Sequence, residues 1–127
     1  MSTRSARIVV VSSRAAAGVY TDDCGPIIAG WLEQHGFSSV QPQVVADGKH
    51  TVAVLDYVIP GLADAIRRSG LPKVPTSVLS RGVCGVAGRT LIINLPGSPG
   101  GVRDGLGVLA DVLDHALEQI AGGDHPR

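Results

Sequence analysis

The sequence predicts one α/β domain built on a mostly parallel sheet. Apolar runs rich in β-branched residues stand at 6–12, 40–46, 74–79 and 89–95, and such runs are typical of buried strands. Segments of helical periodicity separate the first three runs, and the longest one follows the last run. Alternation of strands with helices favours a layered fold with parallel strands. The chain has 127 residues, no internal repeat and no linker, so a single domain is expected.

The composition favours a folded protein with small partners. Residues are 44% hydrophobic and 17% charged, which supplies a core and leaves too little charge for disorder. Eleven basic residues balance eleven acidic ones, so the basic excess of a nucleic-acid binder is missing. Cys24 and Cys84 have neither disulfide-framework nor metal-ligand spacing, which favours reduced thiols. The apolar run 8–11 is too short to cross a membrane, and we expect a cytoplasmic protein.

The first helix is predicted to follow Asp22-Asp23-Cys24-Gly25. Pro26 suits its first turn, and Gly36 suits its C-terminal end. The side chains predicted to face the core share one side at helical spacing: Ile27, Ile28, Trp31 and Leu32.

Three further helices are predicted in the rest of the chain. The first spans 51–57, and the second runs from Pro60 to Gly70 because proline opens helices and glycine ends them. The third, over 102–121, is the longest. The residues predicted to face the core in the last two are Leu62, Ala63, Ile66, Val102, Leu106, Leu109, Leu113, Leu117 and Ile120.

The segment Asn94-Leu95-Pro96-Gly97-Ser98-Pro99 is the most informative in the chain. It follows the strand-like run 90–93 and precedes the long helix. A helix N-terminus presents unpaired N–H groups and partial positive charge, and small residues let a ligand approach the backbone. The segment therefore suits an anion site, although an ordinary strand-to-helix connection has the same pattern.

Polar loops follow the carboxyl ends of three predicted strands, at 12–25, 80–82 and 94–101. Ligands of open α/β folds bind at these ends of the strands. We therefore expect the polar side chains of the loops to surround one cleft: Ser12, Asp22, Ser80, Arg81, Asn94 and Ser98.

Several of these segments resemble the molybdenum-cofactor biosynthesis family MogA/MoaB, the molybdopterin adenylyltransferases, and the G domain of gephyrin. The resemblance lies in Leu79-Ser80-Arg81-Gly82-Val83 and in the stretch from Gly88 through Asn94-Leu95-Pro96-Gly97-Ser98-Pro99. It extends to the opening loop and first helix, to Ile59-Pro60-Gly61-Leu62 and to His115-Ala116-Leu117. The matching motifs occur in the family's order over nearly the whole chain.

The resemblance implies a three-layer α/β fold, usually assembled as a trimer. It also implies Mg²⁺- and ATP-dependent adenylylation of molybdopterin, with pyrophosphate as the second product. Because the adenylylated product is the substrate for molybdate insertion, the molybdate-inserting enzyme is an expected partner.

Asp22 is the residue for which the resemblance implies a catalytic role, and a plain helix cap is the alternative. It implies substrate or phosphate contacts for Ser12, Ser80, Arg81, Asn94, Gly97 and Ser98. Arg81 could grip a phosphate with two N–H groups or form a surface ion pair. Ser12 could equally be a solvated loop residue.

One family segment is missing near residues 48–50. Members of the family carry a helix, a strand and a T-G-G-T-G loop followed by D-x-T-P-E, where this chain has only Asp47-Gly48-Lys49-His50. Four residues span at most about 14 Å. The family's acidic metal ligand lies in that segment, so the metal ligands here are unknown.

Two explanations of the missing segment are open. Either the sequence omits a disordered segment of the natural protein, or a true deletion has left a catalytically inactive protein. We expect the first, with a chain break near 48–50, because loss of a central strand would cost more than the ~5–15 kcal/mol stability of a typical domain.

Three functions are therefore considered: a molybdopterin adenylyltransferase, an inactive homologue that binds or scaffolds molybdopterin, and a nucleotide-binding module without a pterin requirement.

Overall fold

A computed structural model describes residues 4–11, 22–38, 41–45 and 51–122. The expected chain break near 48–50 lies outside these residues. The chain divides into two compact units: unit 1 comprises Met1–Lys49 and Gly97–Val102, and unit 2 comprises His50–Pro96 and Arg103–Arg127.

Unit 1 contains a parallel strand–helix–strand arrangement. Strand β1 (Val9–Val11) pairs in parallel with β2 (Gln43–Val45), and helix α1 (Cys24–Gln34) lies between them in sequence. The pairing places Val10 opposite Val44. A continuous apolar run and an intervening helix predict this parallel pair, and the structure confirms it.

Helix α1 ends as its sequence predicts. Gly36 adopts a φ of 88°, which favours glycine, and the N–H of Phe37 bonds back to the carbonyl of Leu32 at 3.0 Å. Of the four residues expected to face the core, Leu32 is buried and the other three are half-buried. The Trp31 ring stacks on that of His35 at a centroid distance of 3.9 Å.

The strands of unit 2 are antiparallel, in contrast to the sheet predicted from the sequence. Strand β4 (Cys84–Ala87) lies between β3 (Tyr57–Val58) and β5 (Thr90–Ile93) and is antiparallel to both. A two-residue turn at Gly88 and Arg89 joins β4 to β5, with Gly88 at a φ of 59°. So short a connection can join only antiparallel neighbours.

Two predicted elements of unit 2 are wrong. Residues 74–79 form a 3₁₀ helix, Pro75–Leu79, instead of a strand. The helix predicted at 51–57 is a short 3₁₀ helix, Thr51–Val54, followed by β3.

The remaining helices bury the residues predicted for them. Helix α2 (Pro60–Arg68) buries Leu62, Ala63 and Ile66. The long helix starts earlier than predicted and is interrupted at Asp111 and Val112, giving α3 (Pro99–Ala110) and α4 (Leu113–Ile120). The buried side chains on these two are Val102, Leu106, Leu109 and Leu113, whereas Leu117 and Ile120 are half-buried.

A glycine lets α3 pack closely in unit 2. A Cβ at Gly105 would lie 2.7 Å from Leu95 Cδ2 and 3.3 Å from Ile66 Cγ2. Glycine therefore fits here because of close approach, although it costs helix propensity. No helix among the described residues has the length and apolar character to cross a membrane.

Candidate functional site

Asp22 caps the N-terminus of α1. Its Oδ1 accepts hydrogen bonds from the backbone N–H groups of Cys24 at 3.1 Å and Gly25 at 3.0 Å. Two of the four N–H groups left unpaired at a helix start are thereby satisfied. Gly25 is buried there, and a Cβ on it would meet the Asp22 carboxylate and the ring of Pro42.

Ser98 caps the N-terminus of α3 in a similar way. Its Oγ accepts from the N–H of Gly101 at 3.1 Å, and its carbonyl accepts from the N–H of Val102 at 2.8 Å. A Cβ at Gly97 or Gly100 would meet no atom of the described residues within 4 Å. Within that part of the chain, the backbone before and within the first turn of α3 has room for a ligand.

Cys24 joins these two caps within unit 1. Its thiol donates a hydrogen bond to the carbonyl of Gly97 at a distance of 3.6 Å. We call residues 22–25 and 97–101 the paired helix ends. The start of α3 carries the partial positive charge of a helix N-terminus, which favours an anion, whereas the Asp22 carboxylate already offsets that charge at the start of α1.

Asn94 holds three segments of unit 2 together. Its Oδ1 accepts from the N–H of Val83 at 3.0 Å, and its Nδ2 donates to Thr51 Oγ1 at 3.1 Å. Its backbone N–H also donates to the Val83 carbonyl at 3.1 Å. The side chain of Asn94 therefore organises these loops, and one N–H of Nδ2 and one acceptor position of Oδ1 remain for a ligand.

The loop Ser80–Gly82 has a defined conformation in unit 2. Ser80 Oγ accepts from the N–H of Gly82 at 3.1 Å, a local turn typical of serine. Arg67, on α2, donates through Nη1 to the carbonyl oxygens of Gly82 at 2.7 Å and Ser80 at 3.4 Å. The backbone on both sides of Arg81 is therefore fixed by one guanidinium.

Arg81 is exposed, and its guanidinium forms neither a hydrogen bond nor an ion pair with the described residues. The surface ion pair considered as an alternative for Arg81 is accordingly not formed within that part of the chain. Among the described residues, its planar guanidinium is therefore available to an anion such as a phosphate.

Cys84 begins strand β4, shortly after this loop in sequence, and is 1% exposed. Burial raises the pKa of its thiol, and the Asn94 backbone N–H and the Arg67 charge oppose that rise. The neutral thiol is a poor nucleophile, so Cys84 fits a structural role.

The structure brings the predicted site residues together in two groups. Asp22, Gly97 and Ser98 meet at the paired helix ends of unit 1, and Ser80 and Asn94 flank Gly82 in unit 2 with Arg81 beside them. A Cβ at Gly82 would lie 3.3 Å from Ser80 Oγ and 3.4 Å from Asn94 Cβ. Ser12 lies outside the described residues.

Sequence reasoning missed the contacts of three residues in these groups. Arg67 lies in the last turn of an amphipathic helix and has the pattern of an ordinary basic residue near a helix C-terminus. Cys24 and Thr51 carry no signal of their tertiary partners, because those partners are far away in sequence. The bonds of Arg67 and Thr51 depend on loop geometry that periodicity cannot supply.

The described residues alone do not form a metal site. No group of three His, Cys, Asp or Glu side chains in that part of the chain could hold a metal ion. At Asp22, Oδ1 is already engaged by two N–H groups. Mg²⁺ in nucleotide sites usually takes one or two carboxylates together with water and substrate phosphates, so its protein ligands here stay unassigned.

Curated relatives of this chain are named for molybdopterin adenylylation. A Haemophilus influenzae molybdopterin adenylyltransferase is 31% identical over 147 residues, covering 87% of this chain and 75% of the relative. A Helicobacter pylori molybdopterin adenylyltransferase is 35% identical over 72 residues, covering 57% of this chain and 41% of the relative. No family model matches the chain.

Solved structures of related proteins have the same fold. A structure of MogA is 77% identical, with a TM-score of 0.90 over 92% of this chain and 99% of the other. The molybdopterin biosynthesis Mog protein of Mycobacterium ulcerans is 59% identical, with a TM-score of 0.90 over 96% of this chain and 99% of the other. MoaB of Thermus thermophilus is 32% identical, with a TM-score of 0.80 over 93% and 96% of the two chains.

Identity over most of both chains, together with the shared α/β fold, places this protein in a defined class. The chain belongs to the MogA/MoaB family of molybdenum cofactor biosynthesis proteins.

Proposed function

We propose that this protein catalyses the ATP-dependent adenylylation of molybdopterin. The observation that carries the proposal is its likeness to relatives named molybdopterin adenylyltransferase. In the reaction, a terminal phosphate oxygen of molybdopterin attacks the α-phosphorus of ATP. A new P–O bond forms, the bond to the β-phosphate breaks, and pyrophosphate leaves.

The paired helix ends support this function through electrostatics. Phosphoryl transfer needs positioning and charge neutralisation more than covalent chemistry from the protein. The open backbone at Gly97 and Gly100 allows a phosphate to approach the start of α3. We infer that Gly97 and Ser98 bind substrate phosphate there, and that the proposed catalytic residue Asp22 sets the geometry of the neighbouring helix start.

The loop of unit 2 supports a second set of substrate contacts. Ser80 Oγ accepts one backbone hydrogen bond, which leaves its hydroxyl hydrogen able to donate. We infer that Ser80 and Arg81 bind a phosphate, with Asn94 holding their loop in place. A contact from Ser12 stays a prediction.

The comparisons support the idea that a segment is missing from this sequence. The alignment with the H. influenzae protein runs over 147 residues, whereas 87% of this 127-residue chain is about 110 residues, so about 37 positions have no counterpart here. The H. pylori alignment covers 72 residues, which equals 57% of the chain, so it has no such gap. A run of 72 residues without a gap includes residues 56–72 of this chain wherever it starts. Such a run can begin after residue 50, so it is compatible with an interruption at 47–50.

We propose that the natural chain carries the family segment near 47–50 and that an acidic residue there holds Mg²⁺. The intact mass of the natural protein tests this directly. A mass well above 13.0 kDa, with extra peptides mapping between Ala46 and Thr51, is expected. A mass of 13.0 kDa would establish a true deletion.

A true deletion would favour the second candidate function, an inactive molybdopterin-binding or scaffolding homologue. The observation in its favour is the run Asp47-Gly48-Lys49-His50, which stands where the family carries a glycine-rich loop and an acidic metal ligand. Such a protein would bind molybdopterin without adenylylating it.

The deciding assay incubates the natural full-length protein with ATP, Mg²⁺ and molybdopterin. Adenylylated molybdopterin and pyrophosphate are the expected products, in equal amounts. Molybdopterin binding without either product would establish the scaffolding function instead. ATP binding that is indifferent to molybdopterin would indicate a plain nucleotide-binding module.

Three further properties are proposed on the family resemblance: a three-layer domain with a central sheet, a trimeric assembly and transfer of the product to the molybdate-inserting enzyme. The two free cysteines are compatible with the expected cytoplasmic location. Size-exclusion chromatography with light scattering measures the assembly, for which three times the chain mass is expected.

A further inference from the structure

We propose that Arg67 is a positioning residue that presets the Ser80–Gly82 loop, so that Arg81 is presented to the substrate phosphate. The proposal rests on the function proposed above and deepens it. Arg67 is on helix α2, outside the loops that sequence reasoning assigned to the site.

Arg67 forms hydrogen bonds to the residues on both sides of Arg81, and we call this arrangement the bracket. A single nitrogen, Nη1, donates to the carbonyl oxygens of Ser80 and Gly82, the residues on either side of Arg81. The other nitrogen, Nη2, donates to Asp64 Oδ1 at 2.5 Å, one helical turn earlier. A planar guanidinium can hold these three acceptors at once because its donors diverge in a fixed fork.

Arg67 is itself held in position. Its backbone carbonyl accepts a hydrogen bond from Ser77 Oγ at 2.7 Å, and its side chain is 23% exposed. Ser77 belongs to the 3₁₀ helix Pro75–Leu79, directly before the loop. Arg67 therefore links helix α2 to both the 3₁₀ helix and the loop. These bonds restrict the conformations open to its guanidinium.

The bracket also determines which groups of the loop remain available to a ligand. In a trans peptide the N–H points opposite to the C=O, so the carbonyl of Ser80 that faces Arg67 directs the N–H of Arg81 away from it. The N–H groups of Gly82 and Val83 are used by Ser80 Oγ and Asn94 Oδ1. The Arg81 N–H and guanidinium are left as a donor set for an anion.

The test compares Arg67→Met with Arg68→Met in the natural full-length protein. Arg68 is the adjacent, exposed arginine on the same helix, so it controls for lost charge and altered helix propensity. In Arg67→Met, kcat/KM for adenylylation should fall about tenfold or more, because hydrogen bonds from a charged donor are lost. Arg68→Met should stay within about twofold of wild type.

A double-mutant cycle with Arg81→Met separates positioning from general stability. Because Arg67 acts through the loop that carries Arg81, the loss in activation free energy of the double variant should be clearly smaller than the sum of the two single losses. Additive losses would overturn the proposal. Arg67→Lys keeps the positive charge but lacks the diverging N–H donors of a guanidinium, so its activity should lie between those of Arg67→Met and wild type. If Arg67→Met fails to fold, Arg67→Lys replaces it in the double-mutant cycle.

Amide hydrogen exchange tests the bracket without any catalytic readout. Exchange at Gly82 and Val83 should quicken by about an order of magnitude in Arg67→Met and stay unchanged in Arg68→Met. If the wild type makes no product, the proposed function fails, and exchange alone decides whether Arg67 orders the loop. Unchanged exchange in a folded Arg67 variant would disprove the positioning role.

Discussion

The thiol of Cys24 lies 3.6 Å from the carbonyl oxygen of Gly97, to which it donates a hydrogen bond. The contact joins the start of α1 to the loop before α3, which are 73 residues apart in sequence. Two helix N-termini are thereby held side by side in unit 1. Because the Asp22 carboxylate offsets the partial charge at the start of α1, the start of α3 is the end that favours a phosphate, and the Cys24 contact fixes the loop before it.

Changing Cys24 should weaken nucleotide binding modestly. Cys24→Ala removes the donor to Gly97 and should raise the dissociation constant for ATP about threefold, since a thiol is a weak donor. Cys24→Ser keeps a donor of similar size and should bind as the wild type does. Isothermal titration calorimetry measures both constants. Equal affinities of all three proteins would show that the contact does not shape the site.

Substitutions at Asp22 should separate capping from catalysis. Asp22→Ala removes the acceptor for two N–H groups and should lower the free energy of unfolding by about 1 kcal/mol. Asp22→Asn retains an acceptor and should stay within about 0.5 kcal/mol of wild type. If the carboxylate acts in the chemistry, Asp22→Asn should still lose adenylylation activity, by about a hundredfold.

Urea unfolding and a product assay on the same preparations measure these two effects. Asp23→Asn is the matched control, because Asp23 is the adjacent exposed carboxylate and its side chain forms no capping bond. Full activity in Asp22→Asn would leave Asp22 as a cap alone.

Gly85 should be intolerant of any side chain. A Cβ there would collide with the backbone carbonyl of Tyr57 and lie 2.7 Å from Leu55 Cδ1. The carbonyl belongs to the paired strand β3 and cannot rotate away, so Gly85→Ala should destabilise unit 2 by about 1–3 kcal/mol. Gly107→Ala is the control: a Cβ there meets nothing within 4 Å, and alanine should stabilise α3 by about 0.5–1 kcal/mol.

Thermal or urea unfolding of the two glycine variants checks the signs. Opposite shifts are expected relative to wild type. A stabilised Gly85→Ala would mean that β3 and β4 lie farther apart than the structure has them.

The parts of the fold that sequence predicts well are those governed by local signals. Helix α2 begins at Pro60, and its buried residues have helical spacing, so propensity and packing agree. The β1–α1–β2 unit is predicted for the same reason. After the end of helix α1, Gly36 adopts the positive φ expected of a glycine that terminates a helix.

The secondary-structure prediction is wrong where an apolar run of the sequence is not buried in the structure. Residues 74–79 resemble a strand, yet Val74, Val78 and Leu79 are 51%, 52% and 74% exposed. Pro75 has no N–H for a strand ladder and instead opens a 3₁₀ helix. Strand β4 is missed because Cys84-Gly85-Val86-Ala87 has little β-branched content; a glycine is required there by the approach of Tyr57.

The candidate site was predictable as a set of loops but not as a set of contacts. Turn and strand-end patterns predict that Ser80, Asn94 and Ser98 lie beside a ligand, although the segment before Ser80 is a 3₁₀ helix and not the expected strand. They cannot show that the Asn94 amide is hydrogen-bonded to Val83 and Thr51, or that Arg67 is hydrogen-bonded to the Ser80–Gly82 loop. Those bonds depend on tertiary geometry.

The buried thiol of Cys84 should make the protein less stable in alkali. Burial raises its pKa above the usual 9.0, so above that pH the unfolded chain loses a proton that the folded chain keeps. The free energy of unfolding should then fall with pH, by at most about 1.4 kcal/mol per unit for this one group, until the folded thiol also ionises. Below pH 9.0 the group contributes no pH dependence. Urea unfolding from pH 8 to 10.5 should show a steeper decline for wild type than for Cys84→Ala, and parallel declines would mean that the folded thiol ionises normally.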